Sequence, residues 1–326
     1  MLSWCVDERY VAIDLGGTMT RIALSDRDLH LSGVIKQASD HSRGPAGIVD
    51  QIGKMLDAAL SATDTPREVL KRGVVASPGP LDANTGVVHG APNLPGWENE
   101  VPLRELVEDR LQIPVQPWND ADVAAVGEHR RGAGRGARNL VYLTVSTGIG
   151  GGVIIEGKLL LGSRGIAGEI GHATIDLNGP LCKCGNIGCL EVLASGANIG
   201  RRYREALDAA AFQRGGMDER KNGTAADLCR AAAEGDPLAG RVWSECMRAL
   251  GFGVVNCIHI FNPERMVIGG GVTNAGEMLF GPVREIVAKH AMKLPREGVE
   301  IVRAELRDDA GLYGAASLAI DGTGAT

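Results

Sequence analysis

The sequence predicts an α/β protein built from two related domains, and three observations support this fold class. The chain has 326 residues, which suits two domains because a single hydrophobic core commonly serves about 100 to 150 residues. Strand patterns alternate with helix patterns along most of the chain, as in a parallel or mixed sheet covered by helices. A strand, a glycine turn and a second strand occur together twice, about half a chain length apart, which indicates a duplicated unit and not a solenoid.

These two hairpins are YVAIDLGGTMTRIALSD (10–26) and LVYLTVSTGIGGGVIIEGKLL (140–160). In both, β-branched residues alternate on either side of a Gly/Thr turn. Glycine lets a backbone approach a ligand closely, and successive exposed N–H groups form a concavity suited to an anion. The turns therefore predict phosphate binding by Gly16, Gly17, Thr18, Thr20, Thr147 and Gly148.

The remaining elements follow in order. Between the hairpins, the patterns predict a helix near 47–62, a strand at 72–77, a loop over 78–97, a helix at 102–111, a strand at 114–118 and a helix from Asn119 onward. After the cysteines at 182–189 the chain is mostly helical, with a helix that begins at Thr224, a longer one over 237–261 and a strand in PERMVIGGGV (263–272). Thr224 is the expected N-cap, because Asp227 follows three residues later.

Composition and charge exclude several classes of protein. The net charge is −6 and the isoelectric point about 5.7, whereas a nucleic-acid backbone requires clustered positive charge. The single basic segment, EHRRGAGRGARN (128–139), is short and interrupted, so we interpret it as a helix end and loop. The N-terminus lacks the pattern of a signal peptide, and apolar runs such as VVNCIHIF are too short to cross a bilayer. We therefore expect a cytoplasmic protein that binds neither nucleic acid nor membranes.

Several motifs together resemble the ROK family (repressors, open reading frames and kinases) of the actin-like sugar kinase superfamily. The resemblance runs nearly end to end and rests on AIDLGGTMTRIAL, SPGPLDANTGVV, PNLPGW, WNDADVAAVGE, TVSTGIGGGVIIEGKLLLGSRGIAGEIGH, CKCGNIGCLEVLASG and GGGV. It implies two actin-like, ribonuclease H-like domains with a nucleotide and sugar cleft between them. The expected domains are a small one of residues 1–120 plus 308–326 and a larger one of residues 121–307. The larger domain contains CKCGNIGCLEVLASG, which resembles the zinc motif of the family.

The segment GHATIDLNGPLCKCGNIGCLE (171–191) holds three of the seven cysteines. Its spacing predicts a zinc ion bound by His172, Cys182, Cys184 and Cys189, with Gly185 and Gly188 allowing the tight turn. A disulfide within Cys-x-Cys would be strained and the compartment is reducing, which leaves free core thiols as the alternative. Because all four zinc ligands would be protein atoms, the metal is expected to be structural.

A sugar pocket requires polar groups at fixed positions, and the chain offers Asn93, Asn119, Asp120, Glu169, His172 and Glu191, with Gly79 allowing close approach to the ring. Taken singly, each has an ordinary explanation as a turn residue, an N-cap or a surface charge. Asp120 is the candidate catalytic base because it opens a helix, whose dipole favours an ionised carboxylate. Asp122 is its nearest rival.

The resemblance implies ATP-dependent phosphorylation of a hexose at the 6-hydroxyl, most simply glucose, with Mg²⁺ as the second cofactor. The expected nucleotide and magnesium residues are Asp14, Gly16, Gly17, Thr18, Thr20, Arg21, Thr147, Gly148, Gly270 and Gly271. N-acetylmannosamine is the first alternative substrate, and fructose, allose and N-acetylglucosamine are others. Family members are usually dimers or tetramers, so a homodimer or homotetramer is expected.

Two alternatives belong to other functional classes. A sugar-responsive repressor of this family requires an N-terminal helix-turn-helix of roughly 60 residues, for which we expect no room because the first strand begins near Tyr10. A non-catalytic sugar-binding protein would be expected to have lost Asp120 or the phosphate turns.

Overall fold

The computed structural model describes residues 8–91, 94–213 and 223–322. The chain forms two compact α/β units, unit 1 with Met1–Gly136, Gly152–Gly168 and Glu305–Thr326, and unit 2 with Ala137–Gly151 and Glu169–Ala304. The α/β class is thus as predicted. The predicted domain limits at 120/121 and 307/308 stay a prediction, because a compact unit need not coincide with an independently folding domain.

The strands are β1 (Arg9–Leu15), β2 (Met19–Ser25), β3 (Leu31–Ala38), β4 (Leu70–Ser77), β5 (Leu81–Asp82), β6 (Val87–His89), β7 (Glu100–Val101), β8 (Val115–Asn119), β9 (Leu140–Val145), β10 (Ile149–Ile155), β11 (Lys158–Leu159), β12 (Arg265–Gly269) and β13 (Glu300–Arg303). The helices are α1 (Pro45–Ala62), α2 (Leu103–Leu111), α3 (Asp120–Arg131), α4 (Leu190–Ala194), α5 (Gly196–Gln213), α6 (Ala225–Ala233), α7 (Pro237–Phe261), α8 (Glu277–His290), α9 (Lys293–Arg296) and α10 (Ala310–Asp321).

Unit 1 is built on a sheet with the strand order β3-β2-β1-β4-β8. β1, β2 and β3 are antiparallel neighbours, whereas β1, β4 and β8 are parallel. The predicted first hairpin is confirmed, with Leu15 opposite Thr20 across the turn. Leu312, Ala315 and Ala319 of α10 join the buried core of this unit, so the last helix of the chain completes the unit that begins with β1.

The predicted loop over 78–97 is partly wrong, since β5 and β6 lie within it and form a small antiparallel sheet with β7, which follows it. These strands are two or three residues long, too short to show the alternation that marks a strand in a sequence. β3 was also missed by the sequence analysis, and its residues are largely exposed.

A second sheet has the order β11-β10-β9-β12-β13. β12 lies between β9 and β13 and is parallel to both. Helix α7 has 25 residues, is largely buried and holds Trp243, whose indole N–H donates to Met278 O at 2.9 Å. The predicted strand before three glycines and the long helix over 237–261 are confirmed.

Helix starts follow local chemistry. Asn119 caps α3 through its side-chain oxygen, which accepts from Ala121 N at 2.9 Å. Thr224 is the N-cap of α6, as predicted, and forms a reciprocal capping box with Asp227. Within the described ranges, no helix has both the length and the apolar character that a membrane crossing requires.

Candidate active site

The first glycine turn, at residues 16–18, joins β1 to β2. Gly16 N–H donates to Met19 O at 3.0 Å, which closes the turn. Its carbonyl groups are bound by the segment after β3: Ser39 Oγ donates to Gly16 O at 2.7 Å, and the His41 ring nitrogen Nε2 donates to Gly17 O at the same distance. The turn thus has a fixed geometry that local sequence alone does not determine.

Thr20 was expected to present its hydroxyl to the nucleotide. The structure buries Thr20 fully and places its hydroxyl 3.0 Å from Ser39 Oγ. Thr20 therefore supports the turn from inside unit 1 and does not offer a donor at the surface. Thr18, in contrast, is exposed at the tip of the turn.

Asp14 precedes the turn, and its carboxylate lies 3.2 Å from the Arg21 guanidinium. Burial raises the pKa of Asp14, and the neighbouring Arg21 charge opposes that rise. Arg21 also contacts the carboxylate of Asp308 at 3.1 Å. Arg21 thus contacts two carboxylates, Asp14 and Asp308, and its predicted nucleotide contact stays a prediction.

Asp120 is the exposed first residue of α3, where the helix dipole favours its ionised form. The preceding Asn119 donates from Nδ2 to Gly79 O at 3.4 Å, so the predicted sugar residues Gly79, Asn119 and Asp120 lie in one part of unit 1. Asp122 is 98 % buried, with 2 % relative exposure, which favours Asp120 over its rival as a base that substrate can reach. Asn93, another predicted sugar residue, lies outside the described residues.

The second glycine turn lies in unit 2 between β9 and β10. Ser146 N donates to Gly148 O at 2.9 Å within the turn. Gly196 N at the start of α5 donates to Ser146 O at 2.7 Å, and the next amide, Ala197 N, donates to Thr147 O at 3.4 Å. The main chain of a neighbouring helix therefore holds this turn.

The side chain of Glu191, on α4, also contacts the second glycine turn, and the sequence did not indicate this contact. Its Oε2 accepts the Ile149 N–H at 3.0 Å, and a Cβ added to Gly148 would lie 2.5 Å from that oxygen. The glycine at 148 thus leaves room for a carboxylate. Glu191, predicted as a sugar ligand, also touches the predicted phosphate turn.

The predicted adenosine-side glycines follow β12. Gly270 has φ of +85° and its carbonyl accepts from Thr273 Oγ1 at 2.7 Å. A Cβ at Gly270 would lie 2.4 Å from Val145 O at the end of β9. The structure therefore brings Gly270 and Gly271 to the strand end that precedes the second turn.

The four predicted zinc ligands meet in unit 2, where one donor atom from each lies within 4.8 Å of the others. Cys182 Sγ lies 3.7 Å from His172 Nδ1, and Cys184 Sγ lies 3.7 Å from Cys189 Sγ. Ligand atoms of a tetrahedral zinc site with bonds of about 2.3 Å to sulfur lie about 3.7 Å apart. The donor set and its spacing therefore fit zinc.

None of these three cysteines forms a disulfide with a described residue, and the 3.7 Å between Cys184 Sγ and Cys189 Sγ is well beyond the length of a sulfur–sulfur bond, about 2.05 Å. Burial raises the pKa of Cys189 to about 12, whereas the Asn186 N–H lowers the pKa of Cys184. A buried thiol of this kind ionises readily only beside a cation, as a metal ion would provide.

His172 lies between this cluster and the carboxylate of Glu169. Its Nδ1 faces the sulfurs, while its Nε2 lies 3.9 Å from Glu169 Oε2. Burial raises the pKa of Glu169, the His172 charge opposes the rise, and the Glu191 charge adds to it. The predicted sugar residues Glu169, His172 and Glu191 are therefore neighbours in unit 2.

Comparison with known proteins then identifies the family. The profile of the ROK family matches residues 10–322. The chain belongs to the ROK family. Its similarity to the glucokinase of Thermotoga maritima is 38% identity over 314 residues, which cover 95% of this chain and 96% of that enzyme.

Solved structures of this family have the same fold. A ROK hexokinase from Thermus thermophilus superimposes with a TM-score of 0.80 at 33% identity, covering 96% of this chain and 100% of that one. A ROK glucokinase from Streptomyces griseus, solved in complex with glucose and AMPPNP, gives a TM-score of 0.77 at 32% identity, with coverage of 96% and 100%. The ROK protein described here therefore has the actin-like fold that its motifs implied.

Proposed function

We propose that this ROK protein is an ATP-dependent glucokinase that phosphorylates the 6-hydroxyl of glucose. The observation that carries the proposal is the end-to-end similarity to the Thermotoga maritima glucokinase, in a chain that keeps an exposed carboxylate, Asp120, at the start of α3. A repressor or a sugar-binding protein has no need of a base at that position.

In the proposed reaction the hexose O6 attacks the γ-phosphorus of ATP. The bond from that phosphorus to the oxygen bridging it to the β-phosphate breaks, and ADP leaves with the electron pair. The Asp120 carboxylate accepts the proton of the hydroxyl as the new P–O bond forms. Phosphoryl transfer needs little other covalent help, so the remaining residues act by position and charge.

The proposed sugar ligands form a set in each unit. Asn119, Asp120 and Gly79 belong to unit 1, with Asn93 as a further candidate outside the described residues, and Glu169, His172 and Glu191 belong to unit 2. Carboxylates and an imidazole suit sugar hydroxyls, because each hydroxyl both donates and accepts a hydrogen bond. The proposed phosphate donors are the N–H groups of the two glycine turns.

Asp14 is the proposed magnesium residue. A single carboxylate fits this ion, which usually keeps several waters and takes its other ligands from phosphate oxygens. When bound, Mg²⁺ would neutralise charge on the phosphates of ATP. Burial raises the pKa of Asp14, and Arg21, 3.2 Å away, opposes that rise by favouring the ionised carboxylate.

Zinc is proposed as a structural ion, bound by His172, Cys182, Cys184 and Cys189. With four protein ligands it has no open position for substrate. Its proposed role is to fix Glu169 and Glu191, since one carboxylate lies beside the His172 ring and the other follows Cys189 by two residues. A cytoplasmic location agrees with thiolate ligands, and a homodimer or homotetramer is proposed from the family resemblance.

The proposed function is tested by measuring ADP release over a panel of hexoses with MgATP. We expect the highest kcat/KM with glucose, and lower values with N-acetylmannosamine, fructose, allose and N-acetylglucosamine. A preference for N-acetylmannosamine would keep the kinase class and overturn glucose as its substrate. An absence of ADP release with every sugar, from protein that still binds glucose, would overturn the enzyme class.

A further inference from the structure

The segment that follows β3 holds all three carbonyl groups of the first glycine turn. Gly16 O accepts from Ser39 Oγ at 2.7 Å and Gly17 O accepts from His41 Nε2 at 2.7 Å. Thr18 O accepts from the backbone N–H of Ser39 at 3.0 Å. Two of these three contacts come from side chains, so the orientation of the turn depends on the residue types at positions 39 and 41.

These contacts determine where the amide groups of the turn point. In a trans peptide the C=O of one residue and the N–H of the next point in opposite directions. Because Gly16 O and Gly17 O point toward Ser39 and His41, the N–H groups of Gly17 and Thr18 point away from that segment. Neither N–H donates to any residue in the described part of the chain. Two adjacent unpaired N–H groups are the arrangement that binds a phosphate oxygen.

The two side chains are constrained in their protonation. Gly17 O can only accept, so His41 Nε2 must carry the proton. The other ring nitrogen, Nδ1, is buried and has no hydrogen-bond partner among the described residues. Ser39 donates its single hydroxyl proton to Gly16 O, so the 3.0 Å contact with Thr20 Oγ1 must be donated by Thr20. Leaving His41 Nδ1 buried without a hydrogen-bond partner lowers the stability of the fold. The role of Ser39 and His41 in orienting the turn explains why such a cost is tolerated.

We propose that Ser39 and His41 are positioning residues for phosphate binding: they orient the N–H groups of Gly17 and Thr18 toward the β- and γ-phosphates of the nucleotide. The proposal rests on the proposed kinase function, and it assigns to two residues outside the motifs a role in binding ATP. Neither residue touches the phosphate. Each acts through a carbonyl group of the turn.

The test uses Ser39→Ala and His41→Ala, each compared with a control of the same residue type. Ser42→Ala is the serine control, since Ser42 Oγ donates to the Asp40 carboxylate and not to the turn. His30→Ala is the histidine control, since that ring is exposed and contacts Asp26. His41→Gln is the conservative variant, because its amide N–H₂ can donate to the same carbonyl.

Binding of AMPPNP, ADP and adenosine is measured by calorimetry, with glucose binding measured separately. We expect Ser39→Ala and His41→Ala each to weaken AMPPNP and ADP binding about five- to tenfold, the size expected for losing one hydrogen bond to a partly buried carbonyl. Adenosine and glucose affinities should change less than twofold. His41→Gln should recover part of the loss, and the KM for ATP should rise more than kcat falls.

A general loss of folding would lower all four affinities together and would overturn the proposal, as would wild-type AMPPNP affinity in both alanine variants. Failure of the proposed function has a different result. In that case the wild-type protein would not release ADP with any hexose, whereas the proposal concerns nucleotide affinity, which is measured without turnover.

Discussion

The two glycine turns share a sequence plan but are held in different ways. In the first turn the carbonyls of Gly16 and Gly17 are held by the side chains of Ser39 and His41. In the second the carbonyls of Ser146 and Thr147 are held by backbone N–H groups at the start of α5. A side-chain donor is lost when its residue is replaced, whereas every residue type except proline retains a backbone N–H donor. Substitutions at positions 39 and 41 therefore remove the donors of the first turn directly.

The turns also differ in whether a side chain accepts a hydrogen bond from their backbone N–H groups. Glu191 accepts the Ile149 N–H of the second turn, and Glu191 follows the proposed zinc ligand Cys189 by two residues. The zinc cluster and the second turn therefore share one short segment. Disturbing the cluster should affect unit 2 at two places, the sugar carboxylates and the turn, while leaving the first turn unchanged.

The first prediction tests the catalytic base independently of both glycine turns, and it should change activity the most. Asp120→Asn removes the proposed proton acceptor but keeps the size of the side chain, so kcat should fall by a factor of about 10² to 10⁴. Glucose and AMPPNP affinities, measured directly, should change much less. Glu105→Gln is the control, as Glu105 is also an exposed carboxylate in the first turn of a helix in unit 1.

An Asp120→Asn enzyme with normal kcat and weakened glucose binding would contradict the assignment of the base. Asp120 would then be a sugar ligand, and Glu169 and Glu191 would be the next carboxylates to test.

The second prediction tests whether zinc supports unit 2. Cys184→Ala should reduce zinc from about one ion per chain to none, because three remaining ligands hold the ion far less tightly. The melting temperature should fall by several degrees, and glucose binding should weaken tenfold or more. Metal analysis and calorimetry measure these, with Cys229→Ala as the control because Cys229 lies on α6 outside the cluster. Wild-type activity in zinc-free protein would overturn the structural role of the ion.

The third prediction, with the smallest change in activity, concerns Gly148, which leaves space for the Glu191 carboxylate. Gly148→Ala places a methyl group 2.5 Å from Glu191 Oε2, so the carboxylate must move and lose the Ile149 N–H. We expect a loss of about 1 to 3 kcal/mol in the free energy of unfolding and a weaker glucose affinity. Gly240→Ala on α7 is the control, since nothing lies within 4 Å of the added carbon. Unchanged glucose affinity in Gly148→Ala would show that the two sites do not share Glu191.

The elements with strong local signals could be predicted from the sequence. Both hairpins, the caps at Asn119 and Thr224 and the long helix α7 follow from alternation, glycine turns and capping chemistry. The four cysteine-cluster residues were identified because their spacing is specific, and the structure brings their donor atoms together. These signals lie within short stretches of chain.

What the sequence did not indicate depends on contacts between distant residues. A single serine and a single histidine carry no periodic pattern, so Ser39 and His41 could be found only once β3 was placed beside the turn. The same reason explains Thr20, which alternation alone could not distinguish as buried, and Glu191, whose second contact lies 42 positions away in the sequence.

The place of α10 in unit 1 has a consequence for synthesis on the ribosome. This helix packs closely on α3, where a Cβ at Gly314 would lie 1.8 Å from Val123 O, and it contributes Leu312 and Ala316 to the core around β1 and β4. Every residue of unit 2 is translated before it. While unit 2 is being made, the first sheet therefore lacks the apolar cover that α10 provides. The unit that emerges first is the last to be completed, and in this interval its exposed apolar face makes the chain prone to aggregation.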